Sequence, residues 1–326
     1  MGLSFFLFVL SIMGWFFGTK KEKCPFKEEC MTRDTKYEYI KKMEFGKKSH
    51  ASFGQINIAK IRGNEKNDVI IKVQDISKPN KERVFWNEVM LINRMTQRMP
   101  ELGPGFIDAW VCDNKGYIAM ENWLEGYEGG SLKDFDFKAY PKDAQISLTL
   151  FLLKLYKRLH SKAQIFHDDI RAPNILFRRI GESVRFAIID FGLSEDLTNK
   201  DEYPTKKEIL KSIMSDYINL IELVLDMGGD VAKYADFKYG KKSRTYCVFS
   251  NKLDDLDPQI KDFVITTMNE YSPKINKEEF YKKQVDKFNA RNIRRRIYVR
   301  GKCKRMEQPA GKDPAVEEAA QKLGID

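Results

Sequence analysis

His167-Asp168-Asp169-Ile170-Arg171-Ala172-Pro173-Asn174, followed by Asp190-Phe191-Gly192, is the stretch whose reading decides the fold. It sets two carboxylates, Asp169 and Asp190, and a carboxamide, Asn174, between short apolar runs. Asn174 lies five residues after Asp169, and Asp190 follows Ile188-Ile189. One carboxylate can orient a hydroxyl, while a carboxamide and a second carboxylate offer the hard oxygens that suit magnesium. Asp-Phe-Gly alone carries little weight, because any tripeptide recurs by chance. The composite carries much more.

Outward from this stretch the chain changes character. From Tyr37 the pattern is β-like. Gln55 to Ile61 alternates apolar and polar residues, Gly63-Asn64 is a turn signal, and Val69-Ile70-Ile71-Lys72-Val73 reads as a second strand interrupted by one lysine. Residues 81–99 carry Val84, Phe85, Val89, Ile92 and Met95 near helical spacing, and Tyr117–Met120 is a short apolar strand. After Gly129-Gly130-Ser131 the periodicity becomes helical. A long amphipathic helix covers 143–163, strands at 175–177 and 185–189 flank a turn at Gly181, an apolar helix covers 216–227, and the remainder reads as helical to about Asn292. A β-rich part before a helix-rich part is an α+β order.

The order His-x-Asp, four residues, Asn, fifteen residues, Asp-Phe-Gly resembles the catalytic and magnesium loops of the protein-kinase superfamily. The resemblance covers roughly residues 37–290. It implies a bilobal protein-kinase-like fold, α+β, with a small β-rich N-lobe over 37–121 and a larger helical C-lobe over 122–290. It implies ATP and Mg2+ as cofactors and a protein substrate phosphorylated on Ser or Thr. Asp169 is then the hydroxyl-orienting base, Arg171 neutralises charge on the transferring phosphoryl, and Asn174 and Asp190 are the metal ligands. Lys72 would grip the nucleotide phosphates and Glu88, sixteen residues on, would hold the lysine. Ser49-His50-Ala51-Ser52-Phe53-Gly54-Gln55-Ile56 resembles a degenerate phosphate loop in which Gly54 survives, with Gly46 as a candidate first glycine. Ile56 would lie over the adenine and Ile70 would narrow the purine slot. Glu121 and Trp123 belong to a hinge whose backbone reads the adenine edge. Phe191 would pack under the helix that carries Glu88. Asp216 resembles the aspartate that braces the catalytic loop, and His167 reads as a packing residue.

The chain also departs from the pattern. Asp168 stands where the family places an arginine, and only twenty-five residues separate Asp190 from Asp216, with no Ala-Pro-Glu. Control by loop phosphorylation is therefore not expected. Two other readings stay open: a pseudokinase that binds or scaffolds, favoured by the worn glycine loop, and a small-molecule kinase of the aminoglycoside or choline type, which shares the His-x-Asp-x-x-x-x-Asn spacing.

Composition is ordinary for a globular protein, with 42% hydrophobic and 32% charged residues. Lys and Arg outnumber Asp and Glu by 57 to 47, a balance of +10 that favours anionic partners. Five cysteines without framework spacing read as free thiols in a reducing compartment. Leu3 to Gly18 is almost wholly apolar and is followed by Lys20, Lys21 and Lys23. No basic residue precedes it and no small-x-small site follows, which argues for a membrane anchor over residues 1–19 rather than a signal peptide. Its rise of about 24 Å is short of a roughly 30 Å hydrocarbon core. An interfacial or buried helix remains an alternative. Charge on the carboxyl side places the kinase-like domain in the cytosol. Phe6 breaks a myristoylation motif. Cys24 and Cys30 stand where acylation could occur, but free thiols are the simpler reading. Residues 20–36 read as a linker. Residues 291–326 form a basic, then polar tail, whose stretch Arg291–Arg305 could meet anionic lipid or nucleic acid.

Overall fold

In a computed structural model of the chain, the described residues are 27–34, 36–43, 54–228, 235–239, 245–292, 296–299 and 302–305. The apolar run Leu3–Gly18, Cys24 and the loop positions Gly46, Ser49 and Ala51 lie outside them. The chain divides into two compact units. One holds the described residues up to Phe85 together with Phe106–Glu125, and the other holds Trp86–Gly105 and the described residues from Gly126 onward. The first is β-rich and the second helical, a bilobal α+β fold of the kind the sequence implies.

The first unit is a five-stranded antiparallel sheet of β1 (Tyr37–Lys42), β2 (Gln55–Ile61), β3 (Asn64–Asp75), β4 (Phe106–Cys112) and β5 (Lys115–Glu121), in the order β1-β2-β3-β5-β4. Its register sorts the two faces. Ile56 opposes Lys72, which opposes Ile118, and Ile58 opposes Ile70, which opposes Met120. Opposed residues share a face, so Lys72 stands among isoleucines and a methionine. The other face carries Tyr37, Tyr39, Ala59, Val69, Ile71, Val73, Trp110, Tyr117 and Ala119, all buried in one cluster. Trp110 is stacked between Tyr37 and Tyr117, with ring centroids 5.3 and 5.1 Å away.

A strap closes that aromatic face. It begins at Lys27, contains the short helix α1 (Glu28–Thr32), and buries Cys30 and Met31 in the cluster. Cys30 is disulfide-bonded to Cys112 of β4. The Trp110 indole N–H donates to the Cys30 carbonyl at 2.8 Å, and Asp108 accepts from Arg33 at 2.5 Å and from Lys36 at 3.1 Å. Two expectations are corrected here. Cys30 and Cys112 are not free thiols, and from residue 27 onward the stretch read as a linker is part of the lobe. Lys27, Glu29, Asp34 and Lys36 are exposed while Cys30 and Met31 are buried, too few apolar positions to show a period. A disulfide spanning 82 residues of sequence limits the unfolded chain by on the order of 4 kcal/mol in the loop-entropy picture.

In the second unit, α2 (Pro79–Arg98) contributes its residues from Trp86 on. Then come the short strands β6 (Gly129–Ser131), β8 (Ile175–Ile180) and β9 (Ser183–Ile188), which form one antiparallel sheet. Around them are α3 (Lys142–Arg158), α4 (Lys206–Gly228), α5 (Pro258–Tyr271) and α6 (Lys277–Asn292). The core of the unit is α4, whose Leu210, Ile213, Met214, Tyr217, Ile218, Leu220 and Ile221 are all buried. A capping box between Ser131 and Asp134 ends β6. The pair β7 (Ile165–Phe166) and β10 (Glu195–Asp196) joins the segment leading into His167 to the one that follows Gly192, and Leu197 and Tyr203 pack on Phe166.

The helical reading to Asn292 missed a hairpin, β11 (Ala235–Tyr239) with β12 (Thr245–Phe249). Thr245-Tyr246-Cys247-Val248-Phe249 is a β-branched and aromatic run, and those side chains suit a pleated surface. Within the basic stretch, β13 (Arg296–Val299) pairs antiparallel with β14 (Lys302–Arg305). Among the described residues no helix is long and apolar enough to cross a membrane.

Candidate active site

The second unit assembles the catalytic loop around a fully buried carboxylate. Asp216 of α4 accepts the backbone N–H of His167 at 3.0 Å, the backbone N–H of Asp168 at 3.1 Å and the His160 imidazole at 2.8 Å. One side chain thus fixes two consecutive backbone groups of the loop that carries Asp169, the bracing role its resemblance implies. His160 comes from the turn Leu159–Ala163 that prolongs α3.

His167 is fully buried, as a packing residue would be. Its Nε2 lies 3.1 Å from the Ile189 carbonyl, and its Nδ1 lies 3.3 Å from the Asp169 N–H. A carbonyl demands a donor and an N–H demands an acceptor, so the proton sits on Nε2. The ring edge meets Phe191, itself buried, with centroids 5.4 Å apart.

Asp168 and Asp190 both adopt left-handed backbone conformations, at φ 55° and 66°. Asp and Asn tolerate this region best among residues with a Cβ, so an aspartate in the arginine's place keeps the turn accessible. Burial, and then the negative charge of Asp216 and Glu195, pushes the Asp168 carboxyl up to about 6, with Arg291 of α6 acting in the opposite sense.

Asp169, Arg171, Asn174 and Asp190 converge. Asn174 donates its amide to the Asp169 carbonyl at 3.0 Å and to Asp169 Oδ2 at 2.8 Å. The Arg171 guanidinium sits 2.8 Å from the same Oδ2 and 3.9 Å from Asp190 Oδ2. Two consequences follow. Neither contact uses Asp169 Oδ1, which stays available to a hydroxyl. The Asn174 nitrogen is committed to two acceptors, which fixes the amide's orientation and leaves its oxygen as a hard acceptor. The Arg171 Nε–H is buried without a hydrogen-bond partner.

In the first unit, Lys72 is buried at 6% exposure on the face of β3 that also carries Ile70. Ile56, next to it on β2, is half-buried, as is Ile70. Gly54 holds φ 125°, and a Cβ there would lie 2.3 Å from the Val73 carbonyl oxygen, so the surviving loop glycine is required by both space and conformation. Glu121 opposes Val69, which lies on the aromatic face, so its exposed side chain turns away from Lys72 and its backbone alone suits a hinge. Trp123 is buried. Glu88, in the second unit, is fully buried on the α2 stripe that contains Leu91, Ile92 and Met95.

The sequence model of the family described as protein tyrosine and serine/threonine kinase matches residues 43–215, more than half of the chain. The chain belongs to that family. The match runs from the start of the glycine loop to the residue before Asp216, and so includes every site residue named above but Asp216. No curated protein matches the chain. Its domain is therefore of the protein-kinase phosphotransferase type.

Residues absent from the sequence reading also shape the site. His160 is one. Arg94, Ser194 and Asp196 are others, joined to the loop by hydrogen bonds between segments far apart in sequence. No local pattern marks them.

Proposed function

We propose that the protein transfers the γ-phosphoryl group of ATP to a Ser or Thr hydroxyl of a protein, with Mg2+ as cofactor. The convergence of Asp169, Asn174, Arg171 and Asp190 carries this reading. Asn174 and Asp190 fit the metal, which, when bound, neutralises charge on the phosphates. Arg171, whose guanidinium is part-exposed, neutralises charge on the transferring group and keeps Asp169 and Asp190 from repelling one another. Asp169 Oδ1 orients the acceptor hydroxyl and takes its proton as the new O–P bond forms and the bond from phosphorus to the β,γ-bridging oxygen breaks, releasing ADP. An aliphatic hydroxyl holds its proton more tightly than a phenol, so it gains most from such a carboxylate. Lys72 binds the nucleotide phosphates, supported by its burial on an otherwise apolar face, and Glu88 holds the lysine in the arrangement the family resemblance implies. Ile56 and Ile70 border the base. The test is incubation of the full chain with γ-labelled ATP and Mg2+, followed by phosphoamino-acid analysis. Label on serine or threonine is expected, and label on tyrosine alone would overturn the choice of acceptor.

The same proposal includes membrane attachment through Leu3–Gly18, supported by that segment's apolar run. The cysteine pairing bears on which side of the membrane the domain occupies. Cystines persist in oxidising compartments and are rare in the cytosol, so the Cys30–Cys112 bond supports the lumenal or extracellular side over the cytosolic side that the flanking lysines suggest. The basic stretch Arg291–Arg305 is retained as a site for anionic lipid or nucleic acid, on its charge alone. In the native full chain, Cys30 and Cys112 are expected to resist alkylation until a reductant is added, and Cys112→Ser is expected to cost about 2–4 kcal/mol of stability. Alkylation of both thiols without reductant would reverse the placement.

A further inference from the structure

Kinases controlled by loop phosphorylation gain, with the phosphate, an anion that pairs with arginine and orders the segment after the magnesium loop. Here that segment is already ordered by an anion written into the sequence. Asp196, six residues after Asp190, takes a bidentate pair from Arg94 of α2. Nη1 lies 2.6 Å from Oδ1 and Nη2 lies 2.7 Å from Oδ2. The two side chains are only 17% and 20% exposed. Asp196 Oδ1 also accepts the Thr198 backbone N–H at 2.8 Å and the Thr198 hydroxyl at 2.7 Å. The Arg94 hydrogen bond, with Thr198, holds the Asp196 carboxyl at about 2.

The pair is the centre of a longer seam. Asn87, Arg94 and Arg98 fall seven and four residues apart, along one side of α2. Asn87 donates to the Ser194 carbonyl at 2.9 Å, and Arg98 donates to the Gln164 side chain at 3.0 Å. Ser194 in turn donates its hydroxyl to the His167 carbonyl at 3.0 Å. The helix that carries Glu88, the segment after Asp190 and the loop that carries Asp169 are thereby joined within one unit. Beyond the pair, Tyr203 is buried and bonds Glu195.

We propose that Arg94 and Asp196 are positioning residues that hold α2 and the magnesium loop in their working arrangement without phosphorylation. The inference rests on the phosphotransferase reading above. A planar, permanently charged guanidinium on a two-oxygen acceptor sets orientation as well as distance, which a lysine cannot reproduce. The fixed carboxylate makes the arrangement a constant of the chain, not a response to a signal.

The experiment uses the full chain with γ-labelled ATP, Mg2+ and casein, before and after phosphatase treatment. Arg94→Ala and Asp196→Ala are each expected to lower kcat by about tenfold or more, with KM for casein changed less than about threefold, and Arg94→Lys is expected to restore only part of the loss. The exchanged pair Arg94→Asp with Asp196→Arg is expected to recover most of the activity lost by either half alone. Phosphatase treatment is expected to leave wild-type kcat unchanged. Wild-type kcat in Arg94→Ala, or loss of wild-type activity on dephosphorylation, would overturn the proposal. Hydrogen exchange gives a readout independent of catalysis. Amides of 86–98 and 192–198 are expected to lose protection together in Arg94→Ala, while those of α4 do not. If wild-type protein transfers no phosphate, the phosphotransferase reading falls, and this exchange pattern alone still decides whether the clamp exists. Unchanged protection would reject it.

Discussion

Asp190→Ala is expected to abolish γ-phosphoryl transfer, lowering kcat/KM by about a thousandfold or more, roughly 4 kcal/mol of transition-state stabilisation. Asp190 is the one carboxylate of the magnesium loop, held in a left-handed backbone conformation beside Arg171. Removing it takes away the proposed hard oxygen ligand and leaves the guanidinium biased toward Asp169. The fold is expected to survive, because Asp190 is only half-buried and the core beneath it is Phe191 and His167. Asp190→Asn keeps the backbone tolerance and separates charge from conformation. Transfer rates and circular dichroism of both variants test this, and near-wild-type transfer by a folded Asp190→Ala protein would remove Asp190 from the metal site.

Asp169→Asn is the second large effect, with kcat expected to fall by about a hundredfold to ten-thousandfold, the range for loss of a positioned base. The substitution is nearly isosteric and preserves an acceptor for Asn174 or Arg171. Nucleotide affinity, followed by fluorescence of a labelled ADP, is therefore expected to stay within about threefold of wild type, since Asp169 is assigned to the hydroxyl and not to the nucleotide. A large loss of affinity with kcat unchanged would assign Asp169 to binding instead.

The parts of this site that could be read in the sequence were those whose chemistry is local. The Asp169–Asn174 spacing is short enough that the amide reaches back to the carboxylate within one turn of chain, so the pattern and the hydrogen bonds are the same fact seen twice. Lys72 was visible because a charged residue interrupts an apolar strand, and the register confirms that it shares a face with Ile70. Asp216 was legible only through family resemblance, since nothing in its helix distinguishes a buried brace from a solvated aspartate. The strap was misread because charge and burial separate by side, and five helical residues give no measurable period. Arg94 and Asp196 lie about a hundred residues apart in sequence, and only the packing of α2 beside β10 makes them partners. The β11–β12 hairpin was hidden inside a region whose neighbours are helices.

The central claim, that this chain is a working phosphotransferase, is tested most directly by the fate of label from γ-labelled ATP and Mg2+ incubated with the purified full chain, with Lys72→Met beside it. The account predicts label on protein, the chain itself included, that depends on Mg2+ and disappears in Lys72→Met. No label from a folded wild-type protein that still binds the nucleotide, or equal label from Lys72→Met, would contradict it.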